Sequence, residues 1–403
     1  MRALLVSWEY PPVIEGGLGR HVRKLSEGLA AGGTEVHVIT RGGGHLPAQE
    51  TRHGVSIHRV TEPPLPKDIE EFLLWVGDMN EHMAELGLQV ADRHAFDLVH
   101  SHDWLVAGAA EQIARTHELP WLVTVHATEY GRHQGWVDKH PQSDIHAAEL
   151  RMVHAADRLI TCSQYMRGHV AQVFGAADAK ITVIPNGVDP SELEPAGSGL
   201  SADTAALRSR FAAADELLVL LVGRLVYEKG FHLALDALTP IIQRGRKLRF
   251  VVAGTGTAEP ELKRQAEELG LSSYGTFLGW VGDDMLHALY RAADLCIVPS
   301  IYEPFGIVAL EAMASGCLCI VADTGGLREV VPGDETVGLR FRAQDADALR
   351  VLLERVLEDD RARARLIAEA REYVLAFDWS EVAHRTRAVY ESLSIERAGT
   401  SAG

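Results

Sequence analysis

Short apolar runs bounded by turn residues recur along this chain, separated by stretches whose apolar residues return every three or four positions. The first run, Ala3–Ser7, leads into a loop rich in Pro and Gly and then into a helix-periodic stretch from His21 to Ala31, which predicts strand, loop, helix. Glu35–Thr40, Phe96–His100, Trp121–Val125, Arg158–Thr161 and Ile181–Ile184 continue the strand pattern, with helical stretches between several of them. A second series follows at Leu217–Val222, Leu248–Ala253, Thr276–Gly279, Leu295–Val298 and Leu318–Val321. Alternation of this kind predicts α/β architecture, two open and mostly parallel sheets covered by helices. The segment from Pro190 to Thr204, rich in Pro, Gly, Ser and acidic residues, is the expected boundary between a first domain over 1–193 and a second over 200–375. Charge-rich residues from Asp345 to Leu375 predict helix. A last amphipathic stretch runs from Trp379 to about Leu393, and residues 394–403 are expected to fray.

Composition narrows the function classes. A length of 403 residues suits two or three domains, and 47% apolar with 24% charged residues is ordinary for a globular chain. A formal charge of −17 argues against a general nucleic-acid binder, which needs a basic surface. Cys162, Cys296, Cys317 and Cys319 show no framework spacing and no histidines in step for zinc, so reduced, packed thiols are expected. The apolar run before Glu9 and Pro11 is too short for a signal peptide, and no stretch approaches eighteen apolar residues, so a cytoplasmic location is expected. Arg244, Arg246, Lys247 and Arg249 cluster in one segment; a solvated helix end explains them better than a membrane contact.

The candidate chemistry lies at predicted strand ends. Arg224 and Lys229 follow the strand Leu217–Val222 and can supply two fixed positive charges to a departing diphosphate. Glu303 and Glu311, eight residues apart around Gly306, can accept hydrogen bonds from the hydroxyls of a hexose and a ribose. Gly16, Gly17 and Gly19 precede the first helix, where bare backbone and a helix N-terminus allow close approach to a phosphate or sugar. The spacing is neither G-x-G-x-x-G nor a Walker loop, which disfavours a nicotinamide dehydrogenase. His126 follows the strand Trp121–Val125, and His102-Asp103-Trp104 follows another, where an indole face and a carboxylate suit a sugar. Each piece alone has a plainer reading: a structural histidine, a core tryptophan, a surface ion pair, a solvated helix glutamate. His100, His102 and Asp103 fall within four residues with alternating directions, so no metal is expected there.

Assembled, these residues resemble the retaining GT-B glycosyltransferases of the GT4 and glycogen-synthase-like group. The resemblance runs through Gly16-Gly-Leu18, His102-Asp-Trp104, His126, Pro185-Asn-Gly-Val-Asp189, Gly223–Gly230, Glu303-Pro-Phe-Gly306 to Glu311, and Gly325-Gly326. It implies two Rossmann-like domains facing an interdomain cleft whose closure gates the reaction, with the last helix, about 379–403, crossing back to the first domain. Arg224 and Lys229 would then hold the diphosphate. Glu303 and the backbone of Phe305, Gly306 and Ile307 would hold the transferred sugar, Glu311 the ribose, and Gly16 and Gly17 would close over the phosphates. His126 would reach the sugar 6-hydroxyl, while Glu9, Asp103 and Trp104 would serve the sugar or acceptor. His126–Trp136 is also similar to actinobacterial α-1,4-glucosyltransferases that build glycogen or methylglucose lipopolysaccharide. The implied reaction is front-side transfer of glucose from ADP-glucose or UDP-glucose to an α-1,4-glucan, with no cofactor and no metal. Glu15 stands where glycogen synthases usually carry Lys before the paired glycines, with Arg20 as the candidate replacement. The alternatives are a mannosyl- or glycosyltransferase acting on a lipid or small molecule, and a non-catalytic sugar-nucleotide sensor. A homo-oligomer is left open.

Overall fold

The computed structural model describes residues 1–14, 16–190 and 202–400. Glu15 and most of the expected boundary segment, 191–201, lie outside the described residues. Two compact units form, Met1–Gly187 with Trp379–Gly403, and Val188–Asp378.

The first unit is built on an eight-stranded sheet in the order β3-β4-β2-β1-β5-β6-β7-β8. Its strands are β1 (Arg2–Ser7), β2 (Glu35–Gly42), β3 (Gln49–Arg52), β4 (Val55–Thr61), β5 (Leu98–His102), β6 (Trp121–Val125), β7 (Arg158–Thr161) and β8 (Ile181–Val183). All pairs are parallel except the β3–β4 hairpin. Parallel strands need crossovers, supplied here by helices α1 (Gly17–Ala31), α2 (Ile69–Arg93), α3 (Ala107–Thr116), α4 (Glu129–Arg132), α5 (Gln142–Ala155) and α6 (Gln164–Phe174). Helices on both faces bury β5 and β6 along their whole length, which is why these strands read as near-continuous apolar runs.

The polar half of β5 is the exception. The run was expected at Phe96–His100 but extends through His100-Ser101-His102, all fully buried, with partners inside the unit for every polar side-chain atom except His102 Nε2. His100 bridges Tyr390 Oη at 2.7 Å and Thr124 Oγ1 at 2.8 Å, and Trp121 Nε1 donates to Ser101 Oγ. Tyr390 belongs to the helix Trp379–Thr400, whose buried Val382, Ala383, Tyr390 and Leu393 join the core of this unit. The expectation of a frayed end from residue 394 is corrected: the helix continues to Thr400, and Glu396 accepts from Arg158 Nη2 at 2.6 Å. Residues 401–403 lie outside the described residues.

The second unit carries a six-stranded parallel sheet, β11-β10-β9-β12-β13-β14. These strands are β9 (Leu217–Val222), β10 (Leu248–Ala253), β11 (Gly275–Gly279), β12 (Leu295–Val298), β13 (Leu318–Ala322) and β14 (Leu339–Phe341). Val219, Leu221, Phe250, Ile297 and Ile320 are almost fully buried and form the middle of its core. The stretch from Asp345 onward forms two helices, Ala346–Glu358 and Asp360–Tyr373. All four cysteines are free and buried. The basic cluster is paired off: Arg244 with Glu354, Arg246 with Glu358, Lys247 with Asp215 and Arg249 with Glu216. With its charges already answered by acids, this segment gives no support to a membrane contact. No helix among the described residues is long and apolar enough to cross a membrane.

Candidate active site

In the second unit, Arg224, Lys229, Glu303, Phe305–Ile307 and Glu311 lie on the segments that follow β9 and β12, and Lys229 meets Glu303. The chain leaves β9 through Gly223 and packs against the loop after β10, with Leu225 N donating to Thr255 O at 2.8 Å. A Cβ on Gly254 would lie 1.9 Å from Gly223 O, so only glycine lets these two loops touch. That contact sets the backbone from which Arg224 projects, about half exposed. Lys229 ends a 3₁₀ turn, Tyr227–Lys229.

Lys229 Nζ donates to Glu303 Oε2 at 2.7 Å although the residues are 74 positions apart, and Ser300 Oγ donates to the same oxygen at 3.1 Å. Arg224 Nη2 lies 3.8 Å from Glu228, a weaker contact. Beyond Glu303 the chain turns through Gly306 into the helix Ile307–Ala314, so the backbone of Gly306 and Ile307 forms a helix N-terminus while the Phe305 ring is buried. Glu311 lies on that helix and is buried, its Oε2 accepting from Tyr290 Oη at 2.9 Å. A Cβ on Gly326 would meet Pro304 O at 2.2 Å, so this glycine shapes the Glu303–Phe305 loop through backbone packing.

In the first unit, Glu9, Gly16, Gly17, Asp103, Trp104 and His126 gather beyond the carboxyl ends of β1, β5 and β6. Glu9 is buried, and its Oε2 accepts from Gly16 N at 3.1 Å and Gly19 N at 3.3 Å. It places an anion at the N-terminus of α1, which has no acidic residue in its first turn. Gly17 is exposed, and nothing within 4 Å would meet a Cβ on Gly16.

Asp103 is buried and sits at φ 60°, an uncommon conformation for a residue with a side chain. Its Oδ1 accepts from His126 N at 2.6 Å, so the carboxylate faces the backbone of the His126 loop. Burial pushes its pKa up to about 6, against the lowering effect of Arg132 and the amides of His126 and Ala127. Trp104 is half-buried at the start of a 3₁₀ turn.

His126 sits in a nest of imidazoles. His102 Nδ1 lies 3.1 Å from His126 Nε2 with the rings stacked, and the His21 ring meets His126 edge-on at 4.6 Å between centroids. His21 Nδ1 donates to Asn186 Oδ1 at 2.8 Å. Burial holds His126 down to about 3, and pushes His21, His100 and His102 well below the usual histidine range, so all four are neutral at physiological pH. His21 Nε2 and His102 Nε2 are buried with no hydrogen-bond partner among the described residues. Ligand nitrogens of His21, His102 and His126 lie within 4.8 Å of one another, a cluster of neutral imidazoles with no carboxylate to offset a cation's charge. The sequence assigned no role to His21, Tyr290 or Ser300, and Asn186 entered only within the Pro185–Asp189 segment. The only signal for His21 was an unpaired histidine on the inner face of a helix.

Beneath this nest, Glu149 of α5 accepts from Glu129 N with both oxygens, at 2.8 and 3.1 Å, and Thr128 Oγ1 accepts from Gly131 N, so the two side chains cap α4. Burial pushes Glu149 up to about 8. A carboxyl raised from about 4.3 in the unfolded chain must take up a proton on folding at pH 7, at about 1.4 kcal/mol per unit. Its contribution to stability is whole below the unfolded value and is lost as pH rises through 8. Glu149→Gln keeps the acceptor without that proton, so it is expected to be more stable than wild type by roughly 2 kcal/mol at pH 7. In urea denaturation the gap should widen between pH 5 and pH 8; parallel pH profiles for the two proteins would refute this.

Two Rossmann-like parallel-sheet units, with paired cations and carboxylates on one and a histidine loop on the other, define the GT-B class of glycosyltransferases. The Glycosyltransferase Family 4 description matches residues 15–192, and Glycosyl transferases group 1 matches residues 204–373. A glycogen synthase of Mycobacterium tuberculosis is 38% identical over 97% of this chain and 94% of its own length. A D-inositol 3-phosphate glycosyltransferase of Frankia alni is 32% identical over 91% of this chain and 92% of its own. Among solved structures, sucrose-phosphate synthase from Thermosynechococcus elongatus superposes with a TM-score of 0.83 at 27% identity, covering 98% of this chain and 99% of that one. The chain belongs to this glycosyltransferase family, group 1 and family 4 in its two halves.

Proposed function

We propose that this protein transfers glucose, with retention of anomeric configuration, from ADP-glucose or UDP-glucose to an α-1,4-glucan. The observation that carries the reading is the Lys229–Glu303 pair, a cation and a hydroxyl acceptor held 2.7 Å apart by two separate loops. A nucleotide diphospho-sugar presents those two needs side by side: anionic oxygens on the leaving group and hydroxyls on the adjoining hexose. Arg224 adds a second cation, and Tyr290 Oη fixes the Glu311 carboxylate, a group whose acceptor chemistry suits a ribose hydroxyl. The 38% identity to a glycogen synthase supports glucose and a glucan. Trp136 supports a sugar acceptor too, because it exposes 80% of its surface in the turn after α4 and offers an indole face to pyranose rings.

In this mechanism the acceptor hydroxyl attacks on the face from which the diphosphate departs. The phosphate oxygen takes the acceptor's proton, and Arg224 and Lys229 stabilise the charge that develops on it. His126, neutral and held by Asp103 and His102, can meet a sugar hydroxyl without adding charge. Two fixed cations supply the electrostatic work, so turnover is expected to survive EDTA; loss with chelator and recovery with a divalent ion would overturn that. The identification of substrates rests on a matrix of ADP-, UDP- and GDP-sugars against maltooligosaccharides, glycogen and inositol phosphate, with product anomers read by NMR. Glucose transfer to glucan with an α product is the expected outcome. An inverted product would rule out retention, and turnover on inositol phosphate alone would move the acceptor to the small-molecule class.

A further inference from the structure

The amino-terminal edge of the first sheet, away from the loops that carry His126, holds a second group of ligating side chains that the transferase chemistry does not use. Glu35 and His37 stand two apart on β2 and so face the same way. His94 caps the end of α2 above them, and His58 comes from the neighbouring β4. His37 Nε2 lies 3.2 Å from Glu35 Oε1, and the His37 and His94 rings are 4.6 Å apart between centroids. Ligating atoms of Glu35, His37 and His94 all fall within 4.8 Å of one another.

The remaining atoms of two of these groups are already tied. Arg2 Nη2 holds Glu35 Oε2 at 2.7 Å, which leaves Oε1 turned toward His37. His37 Nε2–H donates to Glu35 Oε1, so Nδ1 accepts from His58 Nε2 at 3.1 Å; an ion taken up on Nε2 would reverse this second bond, with Nδ1–H donating to His58. An outer partner that fixes the tautomer of a histidine and the orientation of a carboxylate is the usual accompaniment of a metal ligand. Zinc bonds of ~2.0–2.1 Å to nitrogen and oxygen place tetrahedral ligand atoms roughly 3.3 Å apart, which the Glu35–His37 pair already meets. His94, at a helix end and only partly buried, supplies the third ligating atom, within 4.8 Å of the other two.

We propose that Glu35, His37 and His94 form a three-ligand site for a divalent transition-metal ion, with zinc the best match to a nitrogen and carboxylate donor set. Glu35 is about half exposed, so water completes the coordination, and the carboxylate offsets part of the ion's charge. The ion would tie the start of β2 to the end of α2. Its role is to brace the first unit, because the transferase residues lie at the opposite ends of the strands.

The test uses full-length protein stripped of metal by dialysis against chelator and titrated with zinc against a chromophoric indicator. One equivalent is expected to bind and to raise Tm, while turnover well below Tm is unchanged by its removal. His37→Ala and His94→Gln are each expected to weaken zinc at least 100-fold, and His58→Gln roughly 10-fold, as loss of an outer partner does. His94 sits at a helix end, so His94→Gln should remain folded even if the buried His37→Ala does not. Absence of zinc binding at micromolar concentration would overturn the proposal. So would wild-type affinity in His94→Gln, or zinc binding lost in His102→Gln and kept in His94→Gln, which would assign the ion to the other histidine group.

Discussion

Lys229→Ala is expected to lower kcat/KM for the nucleotide-sugar donor roughly 100- to 1000-fold, on the scale of losing one preorganised donor at a developing anion. Two effects combine. The departing diphosphate loses a charged partner, and Glu303, whose side chain is only 13% exposed, loses the ammonium 2.7 Å away. An unanswered carboxylate then stands where anionic phosphate must approach. Removing both charges, in Lys229→Ala with Glu303→Gln, should therefore cost less than the product of the two single losses, the signature of coupled residues. If the interaction strengthens in the transition state, kcat falls along with kcat/KM; a rise in KM alone would make Lys229 a ground-state binder. Near-normal turnover in folded Lys229→Ala would remove it from the chemistry altogether.

The elements of the two units were not equally legible in the amino-acid sequence. Both sheets could be read from apolar runs because buried parallel strands carry their signal on consecutive residues, and β6, β7, β9, β10 and β12 begin and end where the pattern places them. The β3–β4 hairpin was not read. Its strands carry Arg52, His58 and Arg59, and Arg59 is buried only because Glu50 and the carbonyl of Pro11 answer its guanidinium. No local pattern announces partners so far away in the chain. β14 is three residues long and offers too few positions for any period.

The same distinction runs through the candidate site. Lys229 and Glu303 announce themselves as charges beside predicted strand ends. Asp103 and Glu9 do so too, but their carboxylates turn to backbone amides, Asp103 to His126 and Glu9 to Gly16 and Gly19, and away from an open ligand position. Residue type shows what a side chain can bind. Which partner reaches it first depends on the fold.

Asp103 accordingly supports a prediction about pH. Asp103→Asn is expected to reduce kcat roughly 100-fold, because the amide can present an N–H to the N–H of His126, leaving a buried donor unanswered and freeing the loop that positions the imidazole. The wild-type carboxyl has a pKa of about 6, raised by burial from about 3.9 in the unfolded chain. For stability the sign is that of a raised acid: the folded chain holds this proton more tightly than the unfolded one, a contribution whole below about 3.9 and lost as pH climbs through 6. For activity the sign is opposite. The ionised group can accept from the amides of both His126 and Ala127, whereas the protonated acid turns one oxygen into a donor facing those amides. Turnover should therefore fall as pH drops through 6 while the protein stays folded. That acid limb should be absent from the residual activity of Asp103→Asn, which cannot titrate. An acid limb of unchanged midpoint in the variant would assign it to another group, and an unchanged kcat would show that His126 is held in place without Asp103.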